Sequence, residues 1–351
     1  MNLLRKLALA ALSTVVCLGA LEGVARLTEG VLPPQEAILP SPRGAACADC
    51  APGTASAASS APPVRLTWSA RTDTWMAVAP EAPYRPDLPE IRGPAPAEPR
   101  PDGQIRLMTL GDSSVWGHGV GEDAVFSARA AQQVRAATGA DLVAFNAAQP
   151  GHILAQSQRT LRTLAPVVRP DVVLIANLWS DLFHPEAPAR LVGPGAESPS
   201  ALYRMLLRAL APALPPRAVS WIDPETGRGM PAQGRSAQTP LADYRRQLRA
   251  VAQDVERMGA RPAFLLLPAF LDVQSAVPPV IAAYRQAMIE AARDHQAILI
   301  DGAAAFRAAE ADASWFLDAV HPSDRGHETL GEALAASILQ APEAWGMAAG
   351  R

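Results

Sequence analysis

Three side chains widely separated in the chain are of the types needed to pass an acyl group to water: a serine, a histidine and a carboxylate. Gly111-Asp112-Ser113-Ser114 stands directly after an apolar run, and Asp318-Ala319-Val320-His321-Pro322 puts a carboxylate three residues before an imidazole. A serine hydroxyl is a poor nucleophile at neutral pH. An imidazole must take its proton, and a carboxylate on the other ring nitrogen fixes the tautomer and stabilises the cation that forms. Ser113 is thus the candidate nucleophile, His321 the candidate general base and Asp318 the acid that orients it. Taken singly, the first segment also reads as a turn and helix cap, and the second as a surface acid and histidine before the last helix. Both bland readings lose ground when the two segments occur in one chain whose elements can bring them together.

Those elements alternate. Apolar runs of strand length at Ile105 to Leu110, Asp141 to Asn146, Asp171 to Ala176, Ala263 to Leu267 and Ala297 to Ile300 are separated by helical patterns. The helices run from about Asp123 to Ala137, Leu154 to Leu164, Leu241 to Met258, Pro279 to Asp294 and Gly326 to Leu339. Strands apolar throughout and alternating with helices imply a parallel sheet covered on both faces, hence an α/β fold: a three-layer α/β/α sandwich on a mostly parallel five-stranded sheet. In such sheets functional groups collect at the carboxyl ends of the strands, where Ser113 stands. The stretch from Pro185 to Pro240 interrupts the rhythm as an insertion with one predicted helix, Leu202 to Leu210.

At 351 residues, 49% apolar, 19% charged and with a net charge of -3, the chain is neither a disordered polyelectrolyte nor a basic nucleic-acid binder. Arg5 and Lys6 precede an uncharged run from Leu7 to Leu21, the pattern of an export signal or signal anchor. Residues 1–30 are therefore expected to hold the domain outside the cytoplasm on a membrane-tethering helix, or, after cleavage near Gly23 and Ala25, to leave it secreted. Residues 31–63 read as a Pro/Ala/Ser-rich linker, 64–103 as an irregular segment packed on the domain, and 104–345 as the domain itself. Cys47 and Cys50 read as a local disulfide or incidental thiols, since no second pair completes a zinc site.

The motif residues resemble the SGNH, or GDSL-type, hydrolase superfamily of esterases and lipases over about Ile105 to Leu339, and membrane-tethered bacterial members in particular. The first block matches at Gly111, Asp112 and Ser113 and the last at Asp318 and His321. The resemblance implies a flavodoxin-like fold, ester hydrolysis through Ser113, His321 and Asp318, and no metal or organic cofactor. Asn146 to Gly151 resembles the second block, which would make the Gly151 amide an oxyanion donor beside that of Ser113. The third block departs from the family's Gly-x-Asn-Asp: Leu178-Trp179-Ser180-Asp181 stands there, with Asn177 one residue earlier. Either Ser180, which keeps the register, or Asn177, brought in by a bulge, would supply the side-chain donor. The implied substrates are acylated small molecules, lipids or polysaccharides. The same residues could instead pass the acyl group to a glycan hydroxyl, and the altered third block admits a catalytically silent scaffold.

Trp116, Trp179 and Trp315 lie near motif positions, as pocket walls or as packing at strand ends. His118 and His152 follow motif residues and are expected in exposed loops with substrate contact as the alternative. His184, His295 and His327 read as structural or solvated, and a metal cluster of Asp318, His321 and His327 lacks any supporting ligand pattern.

Overall fold

The computed structural model describes residues 14, 17–27, 36–39, 64–69, 74–78, 91–182, 200–202, 239–274, 277–318 and 320–347. Helical residues 17–27 form α1. Three strands, β1 (Glu36–Leu39), β2 (Val64–Ser69) and β3 (Thr74–Val78), pair antiparallel in the order β1-β2-β3. This corrects the reading of 31–63 as linker alone and of 64–103 as irregular. Val64-Arg65-Leu66-Thr67-Trp68 alternates apolar and polar residues with the period of a strand, and the prolines around it masked that pattern.

The second sheet follows from the apolar runs. Strands β4 (Ile105–Leu110), β5 (Leu142–Asn146), β6 (Val172–Ile175), β7 (Arg261–Leu266) and β8 (Ile298–Asp301) lie in the order β5-β4-β6-β7-β8, and every pair is parallel. All residues of β4 and β6 are buried, as the middle of a sheet covered on both faces requires. Two groups of helices supply the cover. In one, α3 (Phe126–Thr138), α9 (Gly302–Ala308) and α10 (Asp324–Gln340) pack together. In the other, α4 (Leu154–Val168), α6 (Leu241–Arg257) and α8 (Pro279–Asp294) do so. Short helices α2 (Ser113–Trp116), α5 (Trp179–Leu182) and α7 (Phe270–Gln274) begin just beyond the ends of β4, β6 and β7. The result is the expected three-layer α/β/α sandwich, with predicted and observed strand limits differing by up to two residues.

Strand order reverses at β4, whose neighbours β5 and β6 lead away in opposite directions. A crevice opens at such a switch point beyond the carboxyl ends of the strands, and α2 and α5 stand there. Arg106, buried in β4, donates to Gln104 Oε1 (2.8 Å) and to the carbonyls of Val168 (2.7 Å) and Ala97 (2.8 Å), so its charge is met by acceptors rather than left bare.

Of the insertion, Ser200, Ala201, Leu202, Thr239 and Pro240 are described, so the predicted helix Leu202 to Leu210 lies outside the described residues except for Leu202, which is helical. Glu22 of α1 receives the Ser200 hydroxyl (2.8 Å) and the N–H groups of Ala201 (2.8 Å) and Leu202 (3.0 Å), bonds that hold its carboxyl down at about 2. Among the described residues no helix is long and apolar enough to cross a membrane. Cys17 is exposed, and Cys47, Cys50 and His184 lie outside the described residues.

Candidate active site

Ser113 opens α2 because Asp112 caps it: the Asp112 carboxylate accepts the Ser114 N–H at 3.0 Å. The second carboxylate oxygen of Asp112 accepts the N–H groups of Trp179 (2.9 Å) and Ser180 (3.1 Å), so one buried side chain ties the turn after β4 to the turn after β6. Burial raises the Asp112 pKa, and these N–H groups oppose that rise.

The far segment is a tight hairpin. Phe316 bridges Pro322, the Leu317 N–H donates to the His321 carbonyl at 2.8 Å, and at the tip Asp318 Oδ1 accepts the N–H groups of Val320 and His321, both at 2.9 Å. Asp318 Oδ2 lies 2.6 Å from His321 Nδ1, and His321 Nε2 lies 2.7 Å from Ser113 Oγ. Burial acts against both charges of the pair, yet their mutual attraction and hydrogen bonds prevail. Asp318 is held down at about 2, and His321 is raised above its ordinary value. The three residues expected to act together are therefore in hydrogen-bonded sequence. With Nδ1 donating to the carboxylate, Nε2 faces the serine hydroxyl as an acceptor.

The match to known families rests on this same stretch of chain. The family described as "GDSL-like Lipase/Acylhydrolase family" matches residues 109–329, more than half of the sequence. The chain belongs to that family. No curated protein matches. Among solved structures it is similar to LAE5, an alpha/beta hydrolase enzyme from the metagenome of Lake Arreo, at 14% identity and TM-score 0.45, covering 66% of this chain and 94% of that one. The psychrotrophic esterase EstA from Pseudoalteromonas sp. has 14% identity and TM-score 0.45, with 68% and 100% covered. The lipase/acylhydrolase from Enterococcus faecalis has 15% identity and TM-score 0.46, with 71% and 99% covered.

The remaining blocks of this GDSL-like hydrolase lie in the turns that follow β5 and β6. Gly151 has a φ of 79, a left-handed conformation that favours glycine, in the turn between β5 and α4. Among the described residues neither the Ser113 N–H nor the Gly151 N–H donates to a backbone carbonyl. Asn177 is buried and its amide Nδ2 donates to the His152 carbonyl at 3.1 Å, so it braces the Gly151 turn from behind. Ser180 is buried in the first turn of α5, its N–H spent on Asp112.

Asp181 braces the same turn. Its carboxylate accepts the Leu154 N–H (3.0 and 3.2 Å) and the Thr239 hydroxyl (2.6 Å), and its carbonyl accepts the Thr239 N–H (2.9 Å). The two ends of the insertion thus meet on a buried side chain that also starts α4. Sequence reasoning missed these bracing roles of Asp112, Asn177 and Asp181; the matching Asp of the third block was the one available signal. Burial raises the Asp181 pKa to about 7. A carboxyl raised on folding holds its proton in the native state while the unfolded chain releases it from about pH 4 upward, so its contribution to stability declines as pH rises towards 7. Asp181→Asn removes that decline: the melting temperature of the variant relative to the parent is expected to rise between pH 5 and pH 8. A pH-independent offset between the two melting curves would contradict it.

His118 and His152 are buried rather than in exposed loops, because residues distant in the chain pack on each. His118 packs against His321, and the His152 carbonyl is the acceptor for Asn177. His327 is buried, stacks on Phe126 and accepts the Phe126 N–H, and burial lowers it to about 3. His295 lies 2.9 Å from Glu256. Trp116, Trp179 and Trp315 are buried, with the guanidinium groups of Arg92, Arg285 and Arg325 respectively over their rings.

Proposed function

We propose that this GDSL-like hydrolase cleaves carboxylic esters through a Ser113–His321–Asp318 triad. The observation that carries the reading is the continuous chain of hydrogen bonds, 2.7 Å and then 2.6 Å, from hydroxyl to imidazole to carboxylate. Ser113 Oγ attacks the acyl carbonyl carbon while its proton passes to His321 Nε2. Asp318 stabilises the imidazolium through Nδ1–H, and the carbonyl oxygen gathers negative charge. The N–H groups of Ser113 and Gly151 and the Ser180 hydroxyl receive that charge. His321 then returns the proton to the departing alcohol, leaving an acyl ester on Ser113. Water, deprotonated by the same imidazole, attacks that ester and releases the acid and free serine.

The substrate class on this reading is O-acylated small molecules, lipids or polysaccharides outside the cytoplasm. The basic pair Arg5 and Lys6 before an uncharged run supports export, with α1 as part of a membrane tether; Leu18, Leu21, Val24 and Leu27 of α1 are exposed apolar side chains. Fractionation tests the location: the full chain is expected in carbonate-washed membranes and a chain lacking residues 1–30 in the soluble fraction. Recovery of the full chain as a soluble cytoplasmic protein would end this part of the proposal.

Labelling by a fluorophosphonate, together with hydrolysis of p-nitrophenyl acetate, tests the chemistry. Parent protein that neither labels nor hydrolyses, where a control esterase does both, refutes it. Acyl product found on an added carbohydrate rather than on water would reassign the chemistry to transfer. For the oxyanion site, Ser180→Ala is expected to lower kcat by about a hundred- to a thousandfold, the scale of one lost donor. Asn177→Ala, which removes the buried amide that donates to the His152 carbonyl, should lower the melting temperature more than Ser180→Ala does and kcat less. Negligible loss of kcat in Ser180→Ala would remove its hydroxyl from the mechanism.

A further inference from the structure

The segment that carries Ser113 makes two more connections to the Asp318–His321 hairpin, neither of which the proton relay itself requires. The Ser114 hydroxyl donates to the Val320 carbonyl at 3.0 Å, joining residues 206 apart in the chain, and Ser114 is buried. Four residues later the buried ring of His118 meets the ring of His321 edge to face, centroids 5.2 Å apart and planes at 65°.

The backbone is shaped to place that ring. Gly117 and Gly119, on either side of His118, have φ values of 82 and 87, which side-chain-bearing residues adopt only with strain. The His118 N–H donates to the Ser113 carbonyl at 3.0 Å. From outside, the Arg92 guanidinium holds the carbonyls of Trp116, Gly117 and Val120.

We propose that Ser114 and His118 are positioning residues that register the His321 hairpin on the nucleophile segment. The proposal rests on the reading of Ser113 and His321 as nucleophile and base. A single hydrogen bond between Ser113 and His321 leaves the hairpin tip free to tilt about that bond. The Ser114–Val320 bond, on the neighbouring residue, adds a second point of attachment, and the His118 ring limits the swing of the imidazole plane. Two points and a plane fix an orientation. The sensitivity is steep, since a displacement of about 1 Å between reacting groups can cost on the order of a hundredfold in rate. Neither Ser114 nor His118 moves a proton in this scheme.

Ser114→Ala, Ser114→Thr, His118→Ala, His118→Phe and the double alanine variant, all in the full chain, test the idea. With p-nitrophenyl acetate, each single alanine variant is expected to lose about tenfold in kcat with KM changed less than about twofold. The second-order rate of fluorophosphonate inactivation should fall in parallel. Ser114→Thr, which keeps the hydroxyl, and His118→Phe, which keeps a flat ring, should each recover most of the loss. The double variant should lose less than the product of the single losses, because both residues act on one loop. Unchanged kcat and inactivation rate in both alanine variants would overturn the proposal, whatever their melting temperatures. Failure of His118→Phe to recover would overturn the packing role of that ring. The low-field proton resonance of the His321–Asp318 hydrogen bond gives a readout independent of turnover. It should shift or broaden in Ser114→Ala and recover in Ser114→Thr, and an unaltered resonance counts against the proposal even if the parent is inert, an inertness that would itself refute only the hydrolase reading.

Discussion

Ser113→Ala is expected to lower kcat for ester hydrolysis by about 10⁵- to 10⁶-fold, the scale seen when a triad nucleophile is removed. The variant should keep its fold. The Ser113 hydroxyl hydrogen-bonds to His321, while the backbone bonds of α2, from the Gly117 and His118 N–H groups to the Ser113 carbonyl, do not depend on the hydroxyl. Its melting temperature should therefore stay close to that of the parent, so that lost turnover cannot be assigned to unfolding. The fluorophosphonate adduct should vanish as well. Retention of more than about a hundredth of parental kcat would mean that some other group attacks the ester.

Asp318→Asn should cost about 10⁴-fold near neutral pH for a different reason. An asparagine can still accept the Val320 and His321 N–H groups through its oxygen, so the hairpin tip survives. Its amide nitrogen then faces Nδ1, which must become the acceptor, and the proton moves to Nε2, where it can no longer take one from Ser113. The sign of the pH dependence follows from the same pair. Burial alone would lower the His321 pKa, but the Asp318 charge and hydrogen bond raise it above the ordinary value. Because the attack needs neutral His321, the acid limb of kcat/KM in the parent should lie above about pH 6.5. In Asp318→Asn the limb of the residual activity should move to lower pH. An acid limb unmoved by the substitution would show that His321 is not the titrating base. Stability changes in the opposite pH window: with its folded pKa near 2, Asp318 stabilises the native state above about pH 4, and that contribution disappears as pH falls towards 2.

The sheet was legible because burial on both faces leaves strands such as Val172–Ile175 with no polar residue to break the run. The hydrogen-bonded grouping of Ser113, His321 and Asp318 was legible because moving a serine proton demands those side-chain types together. What the sequence hid is of two kinds. Bracing contacts such as Asn177 to His152 and Ser114 to Val320 use common polar residues whose partners lie far off in the chain, and only their three-dimensional neighbours reveal what they hold. The antiparallel pairing of Val64–Ser69 with Thr74–Val78 was lost in proline-rich surroundings, where composition outweighs a short period-two pattern. His118 and His152 were misjudged because loop residues at the end of a sheet can be covered by residues distant in the chain.

The hairpin that carries His321 lies 208 residues beyond Ser113. A chain still emerging from the ribosome can therefore complete β4 and α2 and yet possess only an unreactive alcohol, since the proton acceptor has not been synthesised. On the proposed mechanism the nascent polypeptide lacks the means to activate Ser113 until His321 has been made, and a premature stop anywhere before Asp318 would leave that alcohol without its base.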